Sequence, residues 1–179
     1  WADQIGRDLS RLDDGRERWL TGQFGGAVGT LGFFGGEGLP LRQAFCRRLG
    51  LAEPAISWLS ARDRFSDFAS AAAIAASTLA RIANEVYGLQ RREIGELGER
   101  PAARTVGSIT MPHKRNPENS EQIVTLAQLA REQSALLTDA LVHEHERDGR
   151  AWKLEWSVFP TLCHSVLTAA SLTKALLDG

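Results

Sequence analysis

The stretch FSDFASAAAIAASTLARIANEVYGL, Phe65 to Leu89, decides the fold. Its residues Phe65, Phe68, Ala72, Ala75, Leu79, Ile82, Val86 and Leu89 alternate steps of three and four, which predicts one long helix with a packing seam. Ala71, Ala73, Ala76 and Ala80 keep the surface between those positions low. Neighbours can then approach from several sides, as at the centre of a bundle.

Downstream, the pattern stops at Gly98, Glu99, Arg100 and Pro101, and no periodicity returns before Pro117, so residues 98–117 read as a loop. A second helix is expected from there, with Asn116 as its N-cap and Pro117 at the first position, where no amide hydrogen is needed. Ile123, Ala127, Ala130, Ser134, Leu137 and Leu141 mark one face of it. Leu126, Leu129, Leu136 and Ala140 populate neighbouring angles, so burial between several partners is expected. A third helix is expected after Pro160, with Leu162, Val166, Ala169, Thr173 and Leu176 in step. Upstream, Trp1 to Leu20 reads as part of an amphipathic helix. Alternation of β-branched with polar residues is almost absent. The fold class is therefore an all-α bundle.

The 21 basic residues nearly balance the 22 acidic ones, so no overall field draws this 179-residue chain to nucleic acid or to an anionic membrane. Cys46 and Cys163 have no CxxC spacing and are read as buried thiols in a reducing compartment. No apolar run of about 18 residues suggests a span and no charged n-region precedes an apolar h-region, so cytoplasm is the expected location. The chain begins at Trp1 rather than methionine, as a piece of something longer would.

Two stretches interrupt the helices. GQFGGAVGTLGFFGG, Gly22 to Gly36, invites a nucleotide-loop reading, but no strand precedes it and no βαβ unit surrounds it. Glycine every three or four residues points instead to a turn where backbone packs closely on backbone or ligand. The other is GSITMPHKRNP, Gly107 to Pro117. Here a glycine-flanked serine, Ser108, can swing its hydroxyl into a pocket, Lys114 supplies a charge for a carboxylate, and Asn116 adds a donor and an acceptor. Pro112 and Pro117 stiffen the cationic part, and the helix N-terminus behind it favours an anion. The residues read as an anion-binding mobile lid.

GSITMPHKRNP resembles the GSSxMPxKxNP signature of the fumarase/aspartase superfamily, whose members include fumarase, argininosuccinate lyase, adenylosuccinate lyase and bacterial 3-carboxy-cis,cis-muconate cycloisomerase. The resemblance implies that Ser108 is the proton-abstracting base and that Lys114 and Asn116 bind substrate carboxylate. Ile109 replaces a second serine and removes a neighbouring hydroxyl. Glu121 matches a glutamate that hydrogen-bonds the general-acid histidine; taken alone it is a solvated carboxylate in a first helical turn. GAVGT, Gly26 to Thr30, and ARDR, Ala61 to Arg64, resemble substrate-side segments, with Thr30 and Arg62 as the contacts.

HEHER, His143 to Arg147, lacks the spacing that puts two histidine ligands on one helical face, so no metal is expected. In adenylosuccinate lyases, HERD is followed by serines and an arginine that hold a nucleotide phosphate. Here the run is HERDGRAWKLEWSVFP, with Trp152 and Lys153 at the serine positions and Trp156 at the arginine position. Indoles fill such a pocket with groups that mostly cannot bind phosphate. The pattern HER, then Trp152, Glu155, Trp156 and Pro160, resembles the cycloisomerase branch, with Arg147 directed to the substrate.

The resemblance thus implies closure of 3-carboxy-cis,cis-muconate to carboxymuconolactone in aromatic-acid catabolism, with a small polycarboxylate as substrate and no metal or organic cofactor. A fumarate-releasing lyase is the alternative, and a non-catalytic helical oligomerisation piece the second. It also implies a homotetramer with shared active sites. Residues 1–179 would form the central helical-bundle domain, between an N-terminal histidine-bearing domain and a small C-terminal one that lie outside this sequence.

Overall fold

The computed structural model describes residues 1–100 and 116–178. Six α-helices are described: α1 (Ala2–Asp14), α2 (Arg16–Trp19), α3 (Gly38–Leu49), α4 (Asp63–Leu89), α5 (Glu118–Asp139) and α6 (Gly149–Asp178). A 3-10 turn, Gly32–Glu37, leads into α3. The only extended pairing among the described residues is a single parallel bridge between Thr21 and Ala52. The all-α expectation holds.

The long helices α4, α5 and α6 pack on one another, while α1 and α2 lie against α4. Their common core is made of small residues. Ala69, Ala76 and Ala80 of α4 meet Ala127, Ala130 and Leu137 of α5 and Val158 and Leu162 of α6, and Ala83, Ile123 and Ala169 continue the stack. Alanine lets backbones approach closely, so dispersion contacts are dense although each side chain is small. This corrects the seam read from the sequence. Ala72, Ile82 and Val86 are buried as expected, but Phe65, Phe68, Ala75 and Leu79 are only half-buried and flank the alanine face. Two helices, α5 and α6, converging on α4 select its narrowest face, whereas a periodicity reading follows its largest residues.

The boundaries of three elements differ from expectation. The N-terminal helix breaks at Gly15, where the Trp19 ring folds back so closely that a Cβ would lie 2.1 Å from it. Helix α5 begins at Glu118, with Pro117 rather than Asn116 at the cap position and no side-chain bond from it. It ends at Asp139, so Leu141 falls in the following turn. Helix α6 starts at Gly149 and runs straight through Pro160. Pro160 lacks the amide hydrogen that would reach the carbonyl of Trp156, but both residues are exposed and water can take that bond. The start is fixed by Asp148, whose Oδ1 accepts from the amide of Arg150 at 2.9 Å, an N-cap.

Among the described residues no helix is long and apolar enough to cross a membrane. Cys46 is buried and Cys163 half-buried, both as free thiols, and burial pushes the Cys163 thiol up.

Candidate active site

The glycine-rich turn and the approach to α4 are stitched together. Gln23 Oε1 accepts from the amide of Trp58 at 2.9 Å and Gln23 Nε2 donates to Ser57 Oγ at 3.1 Å. The indole of Trp58 donates to the carbonyl of Gly22 at 2.9 Å. Gly25 and Gly29 make this possible. A Cβ on either would come within 2.5 and 3.0 Å of Ser57 Oγ, and Gly29 has φ +86°, open to glycine at little cost. The expected close backbone packing is therefore present, directed at residues 57–59.

Trp58 then forms one wall around Arg62, the residue before α4. The Arg62 guanidinium lies 4.5 Å from the Phe65 ring centre, 4.9 Å from that of Trp58 and 5.9 Å from that of Trp152 on α6. Its fork is bound by Glu155, with Nε to Oε1 at 2.8 Å and Nη2 to Oε2 at 2.7 Å. The two side chains are 10% and 5% exposed, so the pair is sealed. Trp152 is oriented from α4's approach as well, since its Nε1 reaches the carbonyl of Leu59 at 3.4 Å. Trp156 sits one turn on, 6.2 Å away, and is exposed.

Arg147 ends the HEHER turn with its guanidinium 4.7 Å from the Trp152 ring centre. It is exposed and in no ion pair among the described residues, an arrangement open to an anion. Beside it, Asp148 is held well below the usual carboxylate range, first by the Arg150 side chain and then by the Arg150 amide. The turn that presents Arg147 is thereby anchored to the start of α6. The HEHER run is a capping turn, and no group of three or more His, Cys, Asp or Glu among the described residues is placed to hold a metal.

The expected site residues fall as follows. Arg62 and Arg147 are brought together on Trp152. Thr30 lies on the exposed turn and its hydroxyl accepts from the Gly32 amide at 3.3 Å, while Glu121 is exposed in the first turn of α5. Neither has a hydrogen bond to the Trp152 cluster among the described residues. Asn116 is half-buried two residues before α5. Ser108 and Lys114 lie outside the described residues.

Two carboxylates to which the sequence reading assigned no role are structurally engaged. Glu155 continues the buried row Ala151, Val158 and Leu162 at helical spacing, a signal hidden by the expectation that Pro160 starts the helix. Glu99 receives the amides of Asn119 and Ser120, both at 3.0 Å, and the hydroxyl of fully buried Ser120. It caps α5 from a distance in sequence. The α5 N-terminus, expected to attract a substrate anion, thus gives two of its amides to the protein's own carboxylate.

A sequence profile described as lyase matches residues 1–130. The chain belongs to the lyase family of the fumarase/aspartase superfamily. It is 42% identical over 98% of its length to an N-acetyl-S-(2-succino)cysteine lyase of Dickeya dadantii, covering 38% of that protein. It is 40% identical over 97% of its length to a 3-carboxy-cis,cis-muconate cycloisomerase of Pseudomonas aeruginosa, again covering 38%. The crystal structure of 3-carboxy-cis,cis-muconate lactonizing enzyme from Pseudomonas putida matches 97% of this chain and 38% of that one, with a TM-score of 0.88 and 32% identity. The chain therefore spans about two fifths of the length of the relatives it matches.

Proposed function

We propose that this chain contributes to a lyase-type active site for a small polycarboxylate, and that the reaction is cyclisation of 3-carboxy-cis,cis-muconate to its lactone. The observation that carries the reading is Arg147 seated on Trp152, a cation backed by apolar surface where nucleotide-cleaving relatives would need phosphate-binding hydroxyls. In the ring-opening direction Ser108 takes the proton alpha to a carboxylate, the electron pair left on that carbon forms the double bond, and the lactone oxygen departs as carboxylate. Lys114 and Asn116 hold the carboxylate on which charge grows, and Arg147 binds a second one. Glu121 would orient a histidine supplied from outside this sequence, and Thr30 would line the substrate side. The location would be cytoplasmic.

A second reading is favoured by the Dickeya dadantii relative. A succinyl thioether also carries a proton alpha to a carboxylate, and its loss with departure of sulfur leaves fumarate and a thiol. Both reactions use the same base and the same carboxylate contacts. A homo-oligomer, in the family's manner a tetramer, is supported by a second row on α6: Trp156, Pro160, Cys163, Leu167, Ala170, Lys174 and Leu177 recur at helical spacing, and Trp156, Leu167 and Leu177 are 66%, 71% and 51% exposed. Such a row asks for a partner.

The test is a continuous ultraviolet assay on the full-length protein. Loss of the conjugated diene of 3-carboxy-cis,cis-muconate supports the cycloisomerase. Fumarate release from N-acetyl-S-(2-succino)cysteine with the diene untouched selects the second reading, and fumarate from adenylosuccinate would overturn the exclusion of nucleotides.

A further inference from the structure

We infer that Glu155 is a positioning residue for carboxylate recognition, acting through Arg62 and Trp152 on Arg147; the inference rests on the polycarboxylate reading above. Glu155 occupies the core face of α6, in step with Ala151, Val158 and Leu162, and is 4% exposed. Stability alone does not call for a carboxylate there. A buried ion pair is commonly matched or bettered by apolar side chains of similar volume, because two charges must leave water.

The pair instead does something geometric. Both Glu155 oxygens are used by the Arg62 fork, so the guanidinium plane is fixed among the Trp58 and Phe65 rings. Trp58 cannot yield, since its amide and its indole nitrogen are both bound to the glycine-rich turn. Trp152 is the mobile partner by comparison, held by one long bond to Leu59 and by its place beside Arg62. The seat of Arg147 is the Trp152 ring.

Charge makes the same point. Arg62 and Arg147 both approach the indole of Trp152, and two cations on one ring repel each other. With its fork bound by the Glu155 carboxylate, the inner cation is neutralised and the outer one is left as the net charge facing solvent. Arg62 then serves as a support, with its fork closed to substrate, and Arg147 as the group that meets it. Without Glu155 the inner charge is uncompensated, and Trp152 and Arg147 are expected to shift.

The experiment uses the full-length protein, with citrate as a probe polycarboxylate measured by titration calorimetry and with steady-state kinetics on the diene and the succinyl thioether. Glu155→Gln tests the charge directly but leaves a buried arginine unpaired and could unfold. The decisive variant is therefore Arg62→Met with Glu155→Leu, which removes both charges at similar volume and should melt no lower than the wild type. Citrate affinity should fall about tenfold in this variant and in Arg147→Ala, and no further when they are combined, as expected for groups acting in series. KM should rise to the same extent with kcat within about twofold, the signature of lost ground-state and transition-state binding alike. Unchanged citrate affinity and KM in the paired variant overturn the inference while leaving the proposed reaction standing. Weakened, non-additive citrate binding in a protein that turns over neither substrate supports the inference and removes the proposed reaction. A wild type that neither binds citrate nor turns over either substrate overturns both.

Discussion

Replacing Glu99 by alanine should cost about 2 kcal/mol, because two separate interactions are lost at the start of α5. The first is the cap. Glu99 accepts from the amides of Asn119 and Ser120 at 3.0 Å, and losing a side-chain cap of this kind costs about 1 kcal/mol. The second is the Ser120 hydroxyl, whose residue is fully buried; stripped of its acceptor it adds about 1 kcal/mol at the low end of the penalty for an unmet polar group. Thermal and urea denaturation of the full-length protein measure the sum. Glu99→Gln keeps one acceptor oxygen and should lose about half as much. Combining Glu99→Ala with Ser120→Ala should cost about 1 kcal/mol less than the sum of the single changes, since the hydroxyl can be orphaned only once. A loss below about 0.5 kcal/mol for Glu99→Ala, or strict additivity in the double variant, would refute the tertiary cap.

Other outcomes follow from the same geometry. Ser108→Ala should lower turnover by about 10²–10⁴-fold, the range for a general base, with the mass in light scattering unchanged; retained activity removes Ser108 from the chemistry. Leu167→Glu places a charge in the exposed row of α6 and should shift that mass to a smaller species, and an unchanged mass would mean the row is not an interface. The carboxyl of Asp67, held down first by Arg18, and that of Asp148, held down first by Arg150, both lie below the ordinary carboxylate range. The folded state then binds fewer protons than the unfolded one in that window, so the stabilisation is complete above it and is lost as pH falls through the folded values. Melting curves of Asp148→Asn should lie below the wild type at neutral pH, with the gap narrowing as pH falls below the ordinary carboxylate range; a constant gap would refute the assignment.

The fold was legible because helical period and helix length dominate this sequence, and neither needs tertiary knowledge. What was hidden has a physical pattern. The alanine face of α4 won over its phenylalanines because three backbones compete for proximity at once. Pro160 looked like a start signal because its missing amide matters only if the carbonyl one turn back has no water, and that depends on exposure. The cap of α5 escaped notice because it comes from Glu99, on the far side of residues 101–115, where no local spacing connects them. Of the expected site, Arg62 and Arg147 could be named from the sequence, but not that Glu155 separates their roles. A carboxylate inside an apolar row is visible only once the row is known to extend upstream of Pro160.

Glu155 and Glu99 bear on selectivity in the same way. A site for a polyanion needs cations, but every cation left loose also attracts the wrong anion. Here Glu155 closes the fork of Arg62, and Glu99 takes two amides at the N-terminus of α5. Arg147 remains open on its indole. One guanidinium against an apolar ring pairs with a carboxylate through its N–H fork. On the proposed reading, discrimination between a conjugated triacid and a succinyl thioether is not built in, because an apolar wall separates ligands of similar size by only about 1–3 kcal/mol. Selection between the two proposed reactions would therefore rest on polar groups that meet the leaving oxygen or sulfur. A Trp152→Leu variant should accordingly weaken both substrates alike. A variant that lost only one would place the choice between the reactions on the indole itself.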